Sequence, residues 1–146
     1  MAPMLPPKWK HKISALVPRI LSLLWATWAI ATAAAYAHHV PPQLIGVDDA
    51  VNVKLWVVWL TAALLLIMGA LAPNRSAREI LEAARITRII GISLIVALLI
   101  TWTVTFSLEG GRGWVTGKNY ALLAALSAYS AWTIARNSAT GRVVRE

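Results

Sequence analysis

Cysteine is absent from this 146-residue chain, which excludes disulfides, thiolate metal sites and thiol chemistry and leaves the redox compartment open. Acidic residues are scarce too: six Asp and Glu stand against fourteen Lys and Arg, for a net charge of +8. Charged residues of both signs make up 14% of the chain, where a soluble domain carries roughly 25%. No Asp, Glu, His, Lys or Arg lies deep in any of the long apolar runs. Ion-coupled transporters, proton relays and voltage sensors place such residues there, so their lack argues against those classes. Nor do the runs hold a nucleophile–base–orienter set or a carboxylate pair, and no enzyme is expected.

What the chain has in excess is apolar residues, 58% of the total, gathered in long blocks. That is the membrane signature. The blocks divide the sequence into a tail at 1–17, a first span at 18–37, an external loop at 38–52, a second span at 53–72, a loop and helical stem at 73–85, a third span at 86–108, an external loop at 109–118, a fourth span at 119–135 and a tail at 136–146. The expected fold is all-α: a bundle of four transmembrane helices, multi-pass in the cell (inner) membrane, forming one domain with the lipid bilayer as its main partner.

The second block, LWVVWLTAALLLIMGALA, is the clearest span. Its Leu, Ile and Val side chains each favour insertion by about 0.3–0.6 kcal/mol, and no charge opposes them at the centre. Pro18 suits the first turn of the first helix, where its missing N–H is unpaired in any case. Ser76-Ala77-Arg78-Glu79 has the capping-box pattern. With Gly91 the only breaker before Leu108, one helix of about 32 residues, near 48 Å long, is expected. Its first turns would stand out of the membrane as a stem. The fourth block is about 17 residues long and rich in Ala and Ser, at the lower limit for a span, so a re-entrant or surface-lying helix is its alternative.

Basic residues alternate between the connections. The N-terminal segment (Lys8, Lys10, Lys12, Arg19), the second connection (Arg75, Arg78, Arg85, Arg88) and the C-terminal segment (Arg136, Arg142, Arg145) hold eleven; Lys54, Arg112 and Lys118 are the other three. The positive-inside rule then sets both termini in the cytoplasm. On this reading the excess charge, Lys8, Lys10, Lys12, Arg75, Arg78, Arg85 and Arg88 above all, meets anionic lipid headgroups rather than nucleic acid. Trp56, Trp59 and Trp102 would form an outer aromatic belt, with Trp9 and Trp132 at the inner face. A competing reading takes Lys8–Lys12, the apolar run and Ala35-Tyr36-Ala37 as a cleavable signal peptide. The long apolar run and extended basic tail favour an uncleaved anchor.

Three motifs invite chemistry. His38-His39, with Asp48 and Asp49 nearby, are the candidate metal ligands, but adjacent histidines lack the i,i+4 spacing that converges on one ion, and a polar loop broken by Pro41 and Pro42 is the stronger reading. No metal and no cofactor is expected. Gly110-Gly111-Arg112-Gly113-Trp114-Val115-Thr116-Gly117-Lys118-Asn119 approaches a phosphate-binding loop and fails it, with Arg112 where Gly is needed and Asn119 where Ser or Thr is needed. A glycine turn anchored by Trp114 fits it better. Small residues repeat every fourth position: Ala29, Ala33 and Ala37 on the first helix, Ser93, Ala97, Thr101 and Thr105 on the third, Ser127, Ala131 and Ala135 on the fourth. Such stripes let backbones approach closely, and they serve packing within the bundle or self-association.

Small size, charged termini, several spans, small-residue stripes and the lack of catalytic groups together resemble the holin-like lysis-cassette membrane proteins of bacteriophages. The resemblance is one of layout over the whole chain. It implies a homo-oligomer that accumulates and permeabilises the membrane. The alternative is a membrane-embedded regulatory or accessory subunit that docks a cytoplasmic partner on the 76–88 helix. A small-solute or metal permease component using His38 and His39 comes third.

Overall fold

The computed structural model describes residues 7–51, 53–73 and 77–143, with side chains left aside at 7–15, 48, 51 and 137–143. Every regular element among them is α-helical: α1 Pro7–His38, α2 Pro42–Val51, α3 Leu55–Leu71, α4 Arg78–Leu108 and α5 Gly113–Val143. The long helices run up and down in chain order. α1 packs on α3, α3 on α4 and α4 on α5, and a lighter contact between α5 and α1 closes the ring. One end of the bundle gathers Arg19, Ala72, Arg85 and Ala135; the other gathers Tyr36, Trp102, Phe106 and Tyr120.

Helical phase decides what lies inside. Leu55, Trp59, Ala62 and Leu66 are buried on α3, and Ile92, Ile95, Leu99, Trp102 and Phe106 on α4. Both sets follow the alternating three-and-four spacing that turns one seam of a helix toward its neighbour. Gly91 lets α3 and α4 close up: a Cβ there would meet the Ala62 carbonyl oxygen and Leu66 Cγ at 3.0 Å each. Among the described residues the buried polar side chains are Ser22, Ser127 and Ser130. Each hydroxyl is satisfied by a carbonyl of its own helix: Ser22 by Pro18, Ser127 by Ala124 and Ser130 by Leu126.

Among the described residues two helices, Leu16–His38 and Arg78–Leu108, are long and apolar enough to cross a membrane. Leu55–Leu71 is equally apolar in character but shorter, at 17 residues.

Several boundaries differ from those expected. α1 starts at Pro7, so residues 7–17 are helical rather than tail, and Pro18 lies in the helix interior. Pro7 takes the first helical position, where proline fits, and after it only Pro18 could stop the helix. The 38–52 loop contains α2, opened in the same way by Pro42 and held by Leu44, which is wholly buried. The cap of α4 is Ala77, with no side-chain hydrogen bond; Ser76 of the expected capping box lies outside the described residues. The 109–118 loop shrinks to Glu109–Arg112, because α5 takes up residues 113–118 and continues past Ala135 to Val143. Gly110 and Gly111, at φ +73° and +56°, make the reversal in a backbone region that glycine enters without strain. Gly117 is then buried, with Ser107 Oγ and the Thr103 carbonyl beside it, so it serves the contact of α5 with α4 and not a turn.

Candidate functional site

The small-residue stripes have different fates. Ala29 and Ala33 are buried in the core, as is Ser127, and Ala131 packs against it. These positions serve packing inside the bundle. On α4, Ser93 and Ala97 are exposed and Thr101 and Thr105 half-buried. The threonine hydroxyls donate to carbonyls of their own helix, Thr101 to Ala97 at 3.0 Å and Thr105 to Thr101 at 2.9 Å. They make no bond to another helix, and the face they share looks outward. It is flanked by exposed Ile86, Ile90, Ile100 and Val104. The result is a smooth, apolar helix face whose threonine hydroxyls are already satisfied.

The basic end is built differently. An Arg19 N–H donates to the carbonyl of Ala72, the residue that ends α3. A cation here meets the negative end of the α3 dipole and one of its unpaired carbonyls. An Arg85 N–H reaches the Ala135 carbonyl of α5 at 3.0 Å. Arg88 Nε donates to Ala84 at 3.3 Å, and its aliphatic stem lies over Gly69 of α3. Gly69 lies about one turn before Ala72, so Arg88 and Arg19 both reach the end of α3, and Arg85 stands one turn before Arg88 on α4. Three arginines from two helices thus lie at one end of the bundle, bonded to carbonyls of α3, α4 and α5. The sequence marked Arg85 and Arg88 only as flanking charges and gave Arg19 no contact. Arg78 is exposed. Lys8, Lys10 and Lys12 fall in the first turns of α1, where only the backbone is described, and Arg75 lies outside the described residues.

Aromatic rings occupy the middle and far end of the bundle. Trp25 meets Trp28 edge-on with centroids 5.7 Å apart, Trp28 meets Trp59 at 5.1 Å, and Trp59 meets Trp102 at 5.1 Å. Tyr36 and Tyr120 each lie 5.0 Å from Trp102. The expected outer belt is therefore corrected: Trp59 and Trp102 are core residues, since the phase of α3 and α4 turns them inward, while Trp56 is exposed. Their indole N–H groups are buried without a hydrogen-bond partner. At the surface, Lys118 sits over the Trp114 ring and Arg136 over Trp132, 5.4 and 4.9 Å from the centroids. Such cation–aromatic pairs suit a boundary between apolar and aqueous surroundings.

His38 ends α1 and His39 follows it, both exposed. Among the described residues no group of three or more His, Asp or Glu converges as a metal would need. Two pairings escaped the sequence reading: Trp25 Nε1 to Ser130 Oγ at 3.0 Å, and the gathering of Tyr36 of α1 and Tyr120 of α5 on the Trp102 ring. A tryptophan facing a serine-rich helix was the available sign of the first.

Compared with protein-family models, with characterised proteins and with solved structures, the chain gives no significant match.

Proposed function

We propose that this chain is a membrane protein with four spans and both termini in the cytoplasm, and that it acts by assembling with copies of itself through the outward face of α4, permeabilising the membrane in a holin-like way. The observation that carries the reading is the large apolar side chains left outside the core. Ser22, Ser127 and Ser130 are turned in and satisfied, while Leu24, Leu64, Met68, Ile90, Ile100 and Leu122 point out. In water each such side chain would forgo about 1.5–3 kcal/mol of burial; in lipid there is nothing to forgo. At 17 residues α3 reaches the lower limit of about 17–25 for a span, and α5, with 31, exceeds it in length but is less apolar than the other three. Lipid gives no hydrophobic drive for helices to associate, so contact falls to small residues that permit close packing. Ser93 and Ala97 supply that on the exposed face of α4.

The test is expression in bacteria with membrane potential followed over time. The reading expects a delay and then an abrupt collapse, with the delay altered by Ala97→Leu. Cells that stay energised at high expression would end the permeabilising reading.

One observation favours a second reading, a cytoplasmic partner docked on the start of α4. Residues 78–83 are exposed without interruption, and among them Ile80 (52%) and Leu81 (37%) present apolar surface on a charged stem. A protein that co-purifies with the native chain and is lost with Ile80→Asp would support this reading over the first.

A further inference from the structure

We propose that Arg19, Arg85 and Arg88 form a binding site for a phosphate-type anion at the basic end of the bundle, and that the phosphate of an anionic phospholipid fills it. The clustering itself is the argument. Arg19 is 66 positions from Arg85 in the chain, yet Arg19 bonds the Ala72 carbonyl at the end of α3 while the stem of Arg88 lies over Gly69, about one turn back, and Arg85 stands one turn before Arg88 on α4. Like charges held together in partly buried surroundings repel more strongly than in water. A fold keeps such a group when something of opposite charge answers it.

The contacts that hold the three in place do not answer it. They are backbone carbonyls: Ala72 for Arg19, Ala135 for Arg85 and Ala84 for Arg88. Carbonyls occupy single N–H groups and carry no net charge. The carboxylates described at this end, Glu79 and Glu82, cannot neutralise Arg19, Arg78, Arg85, Arg88 and Arg136 together. Donors are also left over, since each guanidinium has five N–H groups and Arg85 Nε is buried without a partner. Guanidinium forks with N–H groups to spare are what phosphate oxygens bind, in paired charge-assisted hydrogen bonds.

The position selects the source. The cluster lies beside the end of α3, two to three turns into α4, with Arg88 about one turn from Ala72, the residue capping α3. If the spans proposed above hold, that level is the cytoplasmic headgroup layer, where anionic lipids concentrate. The lipid assignment rests on that reading; the anion site does not.

The experiment titrates the purified full chain in neutral detergent with short-chain phosphatidylglycerol, with phosphatidylcholine of the same chain length, and with inorganic phosphate. Binding is read by native mass and by melting temperature. Phosphatidylglycerol is expected to bind and to raise the melting temperature more than phosphatidylcholine. Arg88→Gln should weaken it by about tenfold or more, the loss of one charge-assisted hydrogen bond or better. Arg112→Gln, at the opposite end, should leave it unchanged. Arg88→Lys keeps the charge and the stem over Gly69 but loses the fork, so it answers the question if Arg88→Gln does not fold; it too should bind more weakly. Protection by inorganic phosphate alone would support the site with a free anion as its source. Equal response to both lipids with no response to phosphate, or equal affinity in Arg88→Lys and Arg112→Gln, would overturn it. A chain that stays dissolved without detergent defeats the membrane reading separately, and the phosphate titration can still be read on it.

Discussion

The indole N–H of Trp25 donates to the hydroxyl of Ser130 at 3.0 Å, joining α1 to α5 across 105 positions of sequence. Both side chains are buried, and the contact between these two helices is otherwise light. Among the described residues this bond is a polar tie that closes the ring of helices, beside Tyr36 and Tyr120 on either side of the Trp102 ring. Ser130→Ala leaves the Trp25 donor buried and unpaired, and should cost about 0.5–2 kcal/mol. Ser127→Ala removes a hydroxyl that bonds only within α5, at Ala124, and should cost less. Thermal melting in detergent compares the two. A larger loss for Ser127→Ala would mean that the tie does not hold the ring.

Two glycines should respond to the same substitution with opposite sign. A Cβ on Gly69 would strike Arg88 Cγ and lie 2.6 Å from the Ala84 carbonyl oxygen. α3 and α4 must then part, at about 1–3 kcal/mol. A Cβ on Gly46 of α2 meets nothing within 4 Å, and alanine there gains about 0.5–1 kcal/mol by restricting the unfolded chain. Melting temperatures of Gly69→Ala and Gly46→Ala should fall on either side of the parent value.

The helical character of the long apolar blocks was legible because composition alone writes it; Arg78–Leu108 emerges as one unbroken helix on that basis. Phase is legible too, but it competes with a second signal. The preference of tryptophan for interfaces points Trp59 and Trp102 to a belt, whereas their three-and-four spacing from Leu55, Ala62, Ile95 and Leu99 sets them on the inward seam, and the spacing prevails. α2 was hidden by its brevity and by the prolines before it, which read as loop-makers although proline is equally at home in a first helical turn. The gathering of Arg19 with Arg88 was not readable at all. It depends on how far α1 slides along α3, which no local pattern encodes.

The absence of cysteine makes the sidedness of the bundle directly testable. Ala77 and Arg112 are exposed and lie at opposite ends of α4. With both termini in the cytoplasm, a membrane-impermeant maleimide applied to intact spheroplasts should label Arg112→Cys and spare Ala77→Cys until the cells are opened. Labelling of both before opening would rule out an α4 that crosses the membrane.

Self-association separates two alanines with the same stripe spacing. Ala33 is 5% exposed in the core, so Ala33→Leu overpacks the bundle and should cost about 1–3 kcal/mol. Ala97 is exposed, so Ala97→Leu adds side chain where the single chain has no neighbour, and the melting temperature of the monomer should hardly move. If copies meet on the outward face of α4, the added isobutyl group holds the backbones apart and removes the close approach on which association in lipid depends. Cross-linking in native membranes should then show a ladder of oligomers in the parent, the same ladder at reduced abundance in Ala33→Leu, and mainly monomer in Ala97→Leu. A full ladder in Ala97→Leu would move the contact to another helix, and with it the proposed route to permeabilisation.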